Sequence, residues 1–427
     1  MTQPAVQPAA PVKQRFVGID IIKILACFLV VCIHFFLYSG FYSTPITEEF
    51  GQTAIYFRWI AYCCVPLFMI TTGFLMKNKT LSKDYYLGAL RVLILYLIIS
   101  VICVLFNRSF LHTTYTAWTF IRGLFMYTDA QYAWYVEYYF TIFLLIPFIN
   151  MAYNGMQTKK NKLIMLVTVT ALTVFSQSLF IGFDRDTQIR LLPGYFNRCY
   201  PIAFYLFGAF IRDYPPKRTF TNKCYFAAAF FVTLTWLSSS TYRQSLANNE
   251  NKNIFLSWHY NDYGSWPIFI CSAMIFLLLF DITCGNKTVR FVLKALGNAT
   301  FSAYLISYIF DQKTYRAFVQ RIPTAGDHSE MPQRFREWYT CVLPTFFKAM
   351  LCGLALQIIY SIAEKYIRRA YRNAKAGKPA ALPAADVPTV PAAAEPSAEE
   401  LPAASVPAPE QPAEVSLRDE SGISDEF

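Results

Sequence analysis

The sequence predicts an all-α polytopic integral membrane protein with about ten transmembrane helices and both termini in the cytoplasm. Three observations carry that prediction. Of 427 residues, 55% are hydrophobic and only 15% charged, with a mean hydropathy of +0.32, whereas soluble domains carry about 25% charged residues. The apolar residues fall into repeated runs that match the roughly 20 residues a helix needs to cross a bilayer. Lys and Arg cluster in every second connection between those runs, as the positive-inside rule requires.

The first run, at about 17–38, follows Lys13 and Arg15. It is too long for the apolar region of a signal peptide, and no small-residue cleavage site follows His34, so it is expected to be retained. The second, about 53–76, leads into Lys77, Lys79 and Lys83; the third covers about 88–106. The fourth, about 133–152, precedes Lys159, Lys160 and Lys162, and the fifth covers about 163–181. The sixth, about 195–211, precedes Arg212, Lys217, Arg218 and Lys223. The seventh and eighth, about 222–240 and 264–284, end before Lys287, Arg290 and Lys294. The short ninth covers about 295–311, and the tenth, about 342–362, leads into Lys365, Arg368, Arg369 and Arg372. With ten spans, every basic cluster lies on the cytoplasmic side.

The opposite loops are long and rich in aromatic, Asn and Thr residues, which suits a polyhydroxyl partner or, equally, an interfacial aromatic belt. His112, His259 and His328 lie in them.

Residues 1–14 and 373–427 are low in apolar content and expected to be disordered, which leaves 15–372 as the membrane domain. The stretch from Pro379 to Phe427 carries a net charge of −9, so residues 1–378 carry +20. That excess fits cytoplasmic loops, and no nucleic-acid-binding motif accompanies it. Most of the 11 cysteines sit inside apolar runs and read as small buried residues. No spacing suggests a disulfide framework or a metal site.

"IDIIKILACFLVVCIHFF" (19–36) carries three groups that hydrocarbon penalises: Asp20, Lys23 and His34. Lys23 and His34 are 11 residues apart, three helical turns plus about 20°, so they share a face and stand roughly 16 Å apart along the axis. Asp20 lies on nearly the same face. Lys23 read as a structural residue would snorkel to the cytoplasm, and His34 would be an imidazole bonded between helices. Read functionally, the stripe lines a path from a phosphate-bearing cytoplasmic donor, held by the base, to an imidazole suited to proton transfer.

The first helix, "FVGIDIIKILACFLVVCIHFF", resembles the opening helix of the family 3 membrane acyltransferases, which include bacterial O-acetyltransferases of surface glycans. Members carry Arg or Lys, ten residues, then His, as Lys23 and His34 do. "VPLFMITTGFLM" (65–76) is similar to that family's "PLFF-x-x-SGF" segment, with Thr72 in place of Ser. "YYLGALRVLILYLI" resembles its basic third-helix start through Arg91. "AWYVEYYFTIFLLIPFIN", "AFYLFGAFI" and "LGNATFSAYLISYIF" resemble later segments, the last with Ser307 where a His is common. The resemblance covers 15–311 in order.

It implies an inner-membrane enzyme that moves an acyl group, usually acetyl, from cytoplasmic acyl-CoA to a hydroxyl of a glycan or lipid-linked sugar. No permanently bound cofactor is implied. His34 takes the role of general base or acyl carrier. Lys23 and Arg91 are the implied donor-site bases, with Lys83 upstream.

Glu137, about four residues into the fourth span, is a candidate to orient the imidazole or hold the acceptor hydroxyl, or it is a solvated interfacial residue. Trp134 and Tyr135 are candidates to stack on a sugar ring. Asp281 and Asp311 stand at predicted helix ends and are expected to be solvated. The competing reading is a transporter or flippase with the same stripe along its path, against which no internal repeat and no paired broken helices are evident.

Overall fold

The computed structural model describes residues 15–175, 192, 194–247, 253–257, 262–322 and 331–376. The expectations for 1–14, for 377–427, for His259 and for His328 lie outside these residues. The described chain is helical, and its one β-type contact is an isolated bridge between Pro45 and Ile254.

The helices are α1 (Val17–Tyr38), α2 (Gly51–Tyr62), α3 (Cys64–Met76), α4 (Lys83–Leu87), α5 (Ala89–Phe110), α6 (Ala117–Phe125) and α7 (Trp134–Gly155). There follow α8 (Lys159–Thr170), α9 (Tyr200–Asp213), α10 (Phe220–Ala247), α11 (Trp266–Leu279), α12 (Lys287–Arg321), α13 (Met331–Arg336) and α14 (Tyr339–Ala376). Each of the ten predicted segments contains helix among its described residues, and the eighth, predicted to 284, ends its helix at Leu279. Five stretches are long and apolar enough to cross a membrane: 17–43, 51–76, 83–110, 134–155 and 339–367, with Trp266–Leu279 a shorter apolar helix. The protein is an all-α, multi-pass membrane protein.

Several boundaries differ from expectation, three of them with a clear local cause. The second segment is two helices, broken at Cys63, because Pro66 lacks an N–H and its ring would strike the carbonyl four residues back. The ninth segment extends in both directions. Asn286 caps α12, its side chain accepting from the amides of Thr288 (2.9 Å) and Val289 (3.1 Å), and the helix runs on through Asp311 to Arg321. α14 continues through 373–376, the start of the expected tail, since Ala and Lys favour helix and the first breaker in the sequence is Gly377.

Two packings position the site. α3 and α9 cross backbone to backbone: a Cβ on Gly73 would lie 1.9 Å from the Tyr205 carbonyl oxygen, and one on Gly208 2.0 Å from that of Ile70. The glycines of "TTGF" and "YLFG" are therefore contact points that admit no side chain. α1 and α12 run parallel and in register. Asp20 packs on Gly297, where a Cβ would meet Oδ1 at 2.7 Å, and fourteen residues further along both helices His34 meets Asp311. Tyr315 on α12 donates to the Val31 carbonyl at 2.8 Å.

The predicted cytoplasmic bases gather with acids at one end. Arg15 pairs with Asp20 (2.7 Å), Lys162 with Asp213 (2.8 Å) beside Lys77, and Lys223 with Asp281 (2.5 Å) beside Arg218. The guanidinium of Arg212 lies 4.0 Å from the ring centroid of Phe16. Leu97 and Leu105 on α5, Phe231 and Val232 on α10 and Phe347 and Leu351 on α14 are exposed, a distribution suited to lipid contact.

Candidate active site

The parallel register of α1 and α12 brings a base and an acid from the chain's two ends together inside the bundle. His34 Nδ1 lies 2.7 Å from Asp311 Oδ2. The Tyr132 hydroxyl, from the loop before α7, donates to the same oxygen at 2.7 Å. The Tyr132 ring stacks on the imidazole, 3.8 Å between centroids at 28°, and its hydroxyl is 3.3 Å from that of Tyr38. Tyr304 of α12 holds Tyr132 by donating to its backbone carbonyl.

A carboxylate accepts, so this network assigns the proton to Nδ1 and leaves the lone pair on Nε2. Nε2 has no hydrogen bond among the described residues, and the His34 side chain keeps 10% of its surface open while that of Asp311 keeps none. Asp311 Oδ1 is buried without a partner. An imidazole fixed by a buried carboxylate, with its other nitrogen free, is the arrangement a general base needs.

A cavity of about 300 Å³ lies between α1, α3, α5, α7, α12 and α14. Lys23, Thr72, Arg91, Tyr135, Tyr304 and Gln357 are among its lining. Lys23 and Arg91, far apart in sequence, thus line one space, and neither forms an ion pair among the described residues; the Arg91 guanidinium lies 5.4 Å from the Tyr360 ring centroid. Tyr304 belongs to both neighbourhoods: it lines the cavity and bonds to the Tyr132 that covers His34.

Other candidates fall elsewhere. Asp20 is 4% exposed and bound by Arg15, Nε to Oδ2 at 2.8 Å, so the stripe it was expected to share with Lys23 and His34 ends in an inter-helix clamp. Lys83 is exposed at the start of α4 and does not line the cavity. Trp134 is half-buried and stacks on Tyr263, while Tyr135 is buried in the cavity wall.

Glu137 is exposed. It stands two residues, about 200°, round α7 from the inward Tyr135, and makes no bond to His34. The orienting carboxylate is Asp311, which the sequence placed at a solvated helix end and which is 1% exposed in mid-helix. Asp281 is ion-paired rather than simply solvated. His112 is exposed, and no cysteine forms a disulfide. Among the described residues no group of His, Cys, Asp and Glu has metal-ligand geometry.

Sequence reasoning missed Asp311 and Tyr132. A signal for the first exists. Tyr304, Ser307, Asp311 and Tyr315 recur at three- and four-residue spacing, a polar stripe on an apolar helix that continues past the predicted end at 311. Tyr132 has no comparable signal.

Before α7, Asp129 is 3% exposed with Oδ2 unpartnered, and burial pushes its carboxyl up to about 6. Folding therefore favours its neutral form, and its contribution to stability is lost as the pH rises past that value.

The fold and the site together define a multi-pass helical membrane protein with a buried imidazole–carboxylate pair beside a basic cavity. A model described as an acyltransferase domain, that of the family 3 acyltransferases, matches residues 16–361. The chain belongs to that family and is an acyl-transferring enzyme. No curated protein and no solved structure matches the chain.

Proposed function

We propose that the protein transfers an acyl group, in the first instance acetyl, from cytoplasmic acyl-CoA to a hydroxyl of a surface glycan or lipid-linked sugar across a bacterial inner membrane. The observation that carries the reading is the His34–Asp311 pair: a buried, oriented imidazole with a free nitrogen, on the same helix as Lys23, which with Arg91 lines a cavity and forms no ion pair among the described residues. Lys23 and Arg91 hold phosphate or carbonyl oxygens of the donor. His34 Nε2 removes the acceptor hydroxyl proton as that oxygen attacks the thioester carbonyl. The C–O ester bond forms, the C–S bond breaks, and the imidazolium returns the proton to the CoA thiolate. Asp311 holds the imidazole in its Nδ1–H form and stabilises the imidazolium, and Tyr132 holds Asp311. Both carry an oriented base rather than touch substrate.

Ten crossings with both termini cytoplasmic fit this chemistry. Residues assigned to one side contact one another, as in the Lys77, Lys162 and Asp213 cluster, and those assigned to the other side do the same, as in Arg334 with the Ser39 carbonyl (2.6 Å) and Arg336 with Glu49 (3.0 Å). In a cysteine-free background, a single cysteine at position 160 is expected to react with an impermeant maleimide only after permeabilisation, and one at 112 from outside intact cells. External labelling at 160 overturns the ten-span topology.

The activity is tested by incubating the purified protein in proteoliposomes with acetyl-CoA and glycan extracted from a deletion strain. Free CoA and an added acetyl mass on the glycan are expected; no CoA release above the protein-free rate rejects the reading. Lys23→Gln and Arg91→Gln are each expected to weaken donor binding by about 1.5–3 kcal/mol, the value of a hydrogen bond to a charged group. That is roughly a ten- to hundredfold rise in donor KM. An unchanged KM in both variants moves the donor site out of this cavity.

A further inference from the structure

A second, more strongly basic cleft of about 550 Å³ lies at the same end of the bundle, between the start of α1, the α11–α12 connection and the first turns of α12. Lys287, Arg290 and Lys294 stand on it at helical spacing and form no ion pair among the described residues. Its two acids are already neutralised: Asp20 by Arg15, and Asp281 by Lys223 at 2.5 Å and Arg218 at 3.7 Å. The helix-start amides are also taken, by the Asn286 cap, so any anion here meets side chains. The mechanism uses none of these bases.

One bridge spans from this cleft to the lining of the Lys23–Arg91 cavity. Arg15 Nη2 lies 2.7 Å from Asp20 Oδ1, 3.4 Å from the Lys294 carbonyl and 3.3 Å from Asn298 Oδ1. Asp20 and Lys294 line the cleft, whereas Asn298 lines the cavity.

We infer that the cleft binds the adenine and 3′-phosphate of the acyl-CoA nucleotide, and that the Arg15–Asp20 bridge marks where its diphosphate passes into the cavity toward Lys23 and Arg91. Four features support this. The cleft volume suits a small-molecule site. Its free bases outnumber its free acids, which fits a ligand with several phosphate charges. With the diphosphate at Lys23, the pantetheine arm has roughly 16 Å of helix to cover to His34, a span that it reaches when extended. Phe280 and Phe291 line the same cleft, Phe291 being exposed; an adenine can stack on such a ring, and a phospholipid headgroup has no aromatic ring to place there. Anionic phospholipid offers the same phosphate chemistry at this membrane face, so the test separates the two sources. The inference rests on acyl-CoA being the donor.

The test uses the full chain in nanodiscs and compares wild type, the single variants Lys287→Gln, Arg290→Gln and Lys294→Gln, and their triple combination. Lys217→Gln, an exposed base outside the cleft, controls for a general loss of surface charge. Donor KM is measured with acetyl-CoA and with acetyl-3′-dephospho-CoA, and association is measured with phosphatidylglycerol vesicles. Each single variant is expected to raise the acetyl-CoA KM roughly tenfold and the triple roughly a hundredfold. The triple should also lose the wild-type preference for the 3′-phosphorylated donor, while Lys217→Gln changes neither. An unchanged KM in the single variants overturns the inference, as does a loss of vesicle association with KM unaltered, which assigns the cleft to lipid. Both results leave the donor reading intact. A wild type that accepts no acyl-CoA rejects the donor reading, and this inference with it.

Discussion

His34→Ala is expected to yield a folded, membrane-inserted protein with no measurable acyl transfer. A positioned general base contributes about 10²–10⁴-fold in rate, and a residue that carried the acyl group itself would contribute more. The informative comparison is His34→Gln. Glutamine keeps a hydrogen-bonding group toward Asp311 and fills similar space, but it has no titrating nitrogen. If the imidazole only ties α1 to α12, Gln restores most of the activity and Ala lowers the melting temperature. If it is the base, both variants are inactive at wild-type thermal stability. Donor binding is the third readout: acetyl-CoA affinity, measured by calorimetry, should be unchanged in both, because Lys23 and Arg91 are untouched. More than about a tenth of the wild-type rate in His34→Gln, less than the smallest loss expected for a base, would falsify the assignment.

The second large effect is expected at Asp311, 277 residues from His34 and 2.7 Å from its ring. Asp311→Asn is nearly isosteric but removes the negative charge that stabilises the imidazolium, and an amide nitrogen turned toward Nδ1 would move the ring proton to Nε2, the nitrogen that must accept the substrate proton. A drop in kcat of about 10²–10⁴-fold is expected, with donor KM unchanged. Tyr132→Phe removes only one hydrogen bond to Asp311, a bond to a charged group worth about 1.5–3 kcal/mol, so a loss of at least about tenfold is expected. The split between kcat and KM separates this role from simple scaffolding. Disruption of a buried pair costs about 3–5 kcal/mol of stability, so a purely structural Asp311 would show mainly as a lower melting temperature with kcat preserved in the surviving fraction. That pattern would remove Asp311 from the mechanism.

Much of this was legible in the chain. The break between α2 and α3 follows from Pro66, and the close crossing of α3 and α9 is written as Gly73 and Gly208, although a sequence alone does not say that these two glycines meet. The spacing of Lys23 and His34, with the segments that follow, identified the family. Arg91 was a candidate on resemblance alone, and it does share a cavity with Lys23. Glu137 illustrates the limit: an acid in the right span, two residues from an inward-facing tyrosine, lies on the wrong side of its helix. Asp311 illustrates the converse. A carboxylate near the end of an apolar run is normally a helix end in water, and here it is buried because His34 and Tyr132 satisfy one of its oxygens.

The sequence by itself determined the helical, membrane-embedded class, its basic clusters and the residue types available for chemistry. These are local, additive properties, since hydropathy and charge sum over a window and helical spacing fixes which residues share a face. The tertiary structure alone decided which of those faces meet. The pairing of His34 with Asp311 depends on α1 and α12 lying parallel in one register, set where Asp20 seats on Gly297. A one-residue slip would rotate Asp311 by about 100°, away from the imidazole. Register is a property of two helices packed together, and neither helix encodes it alone.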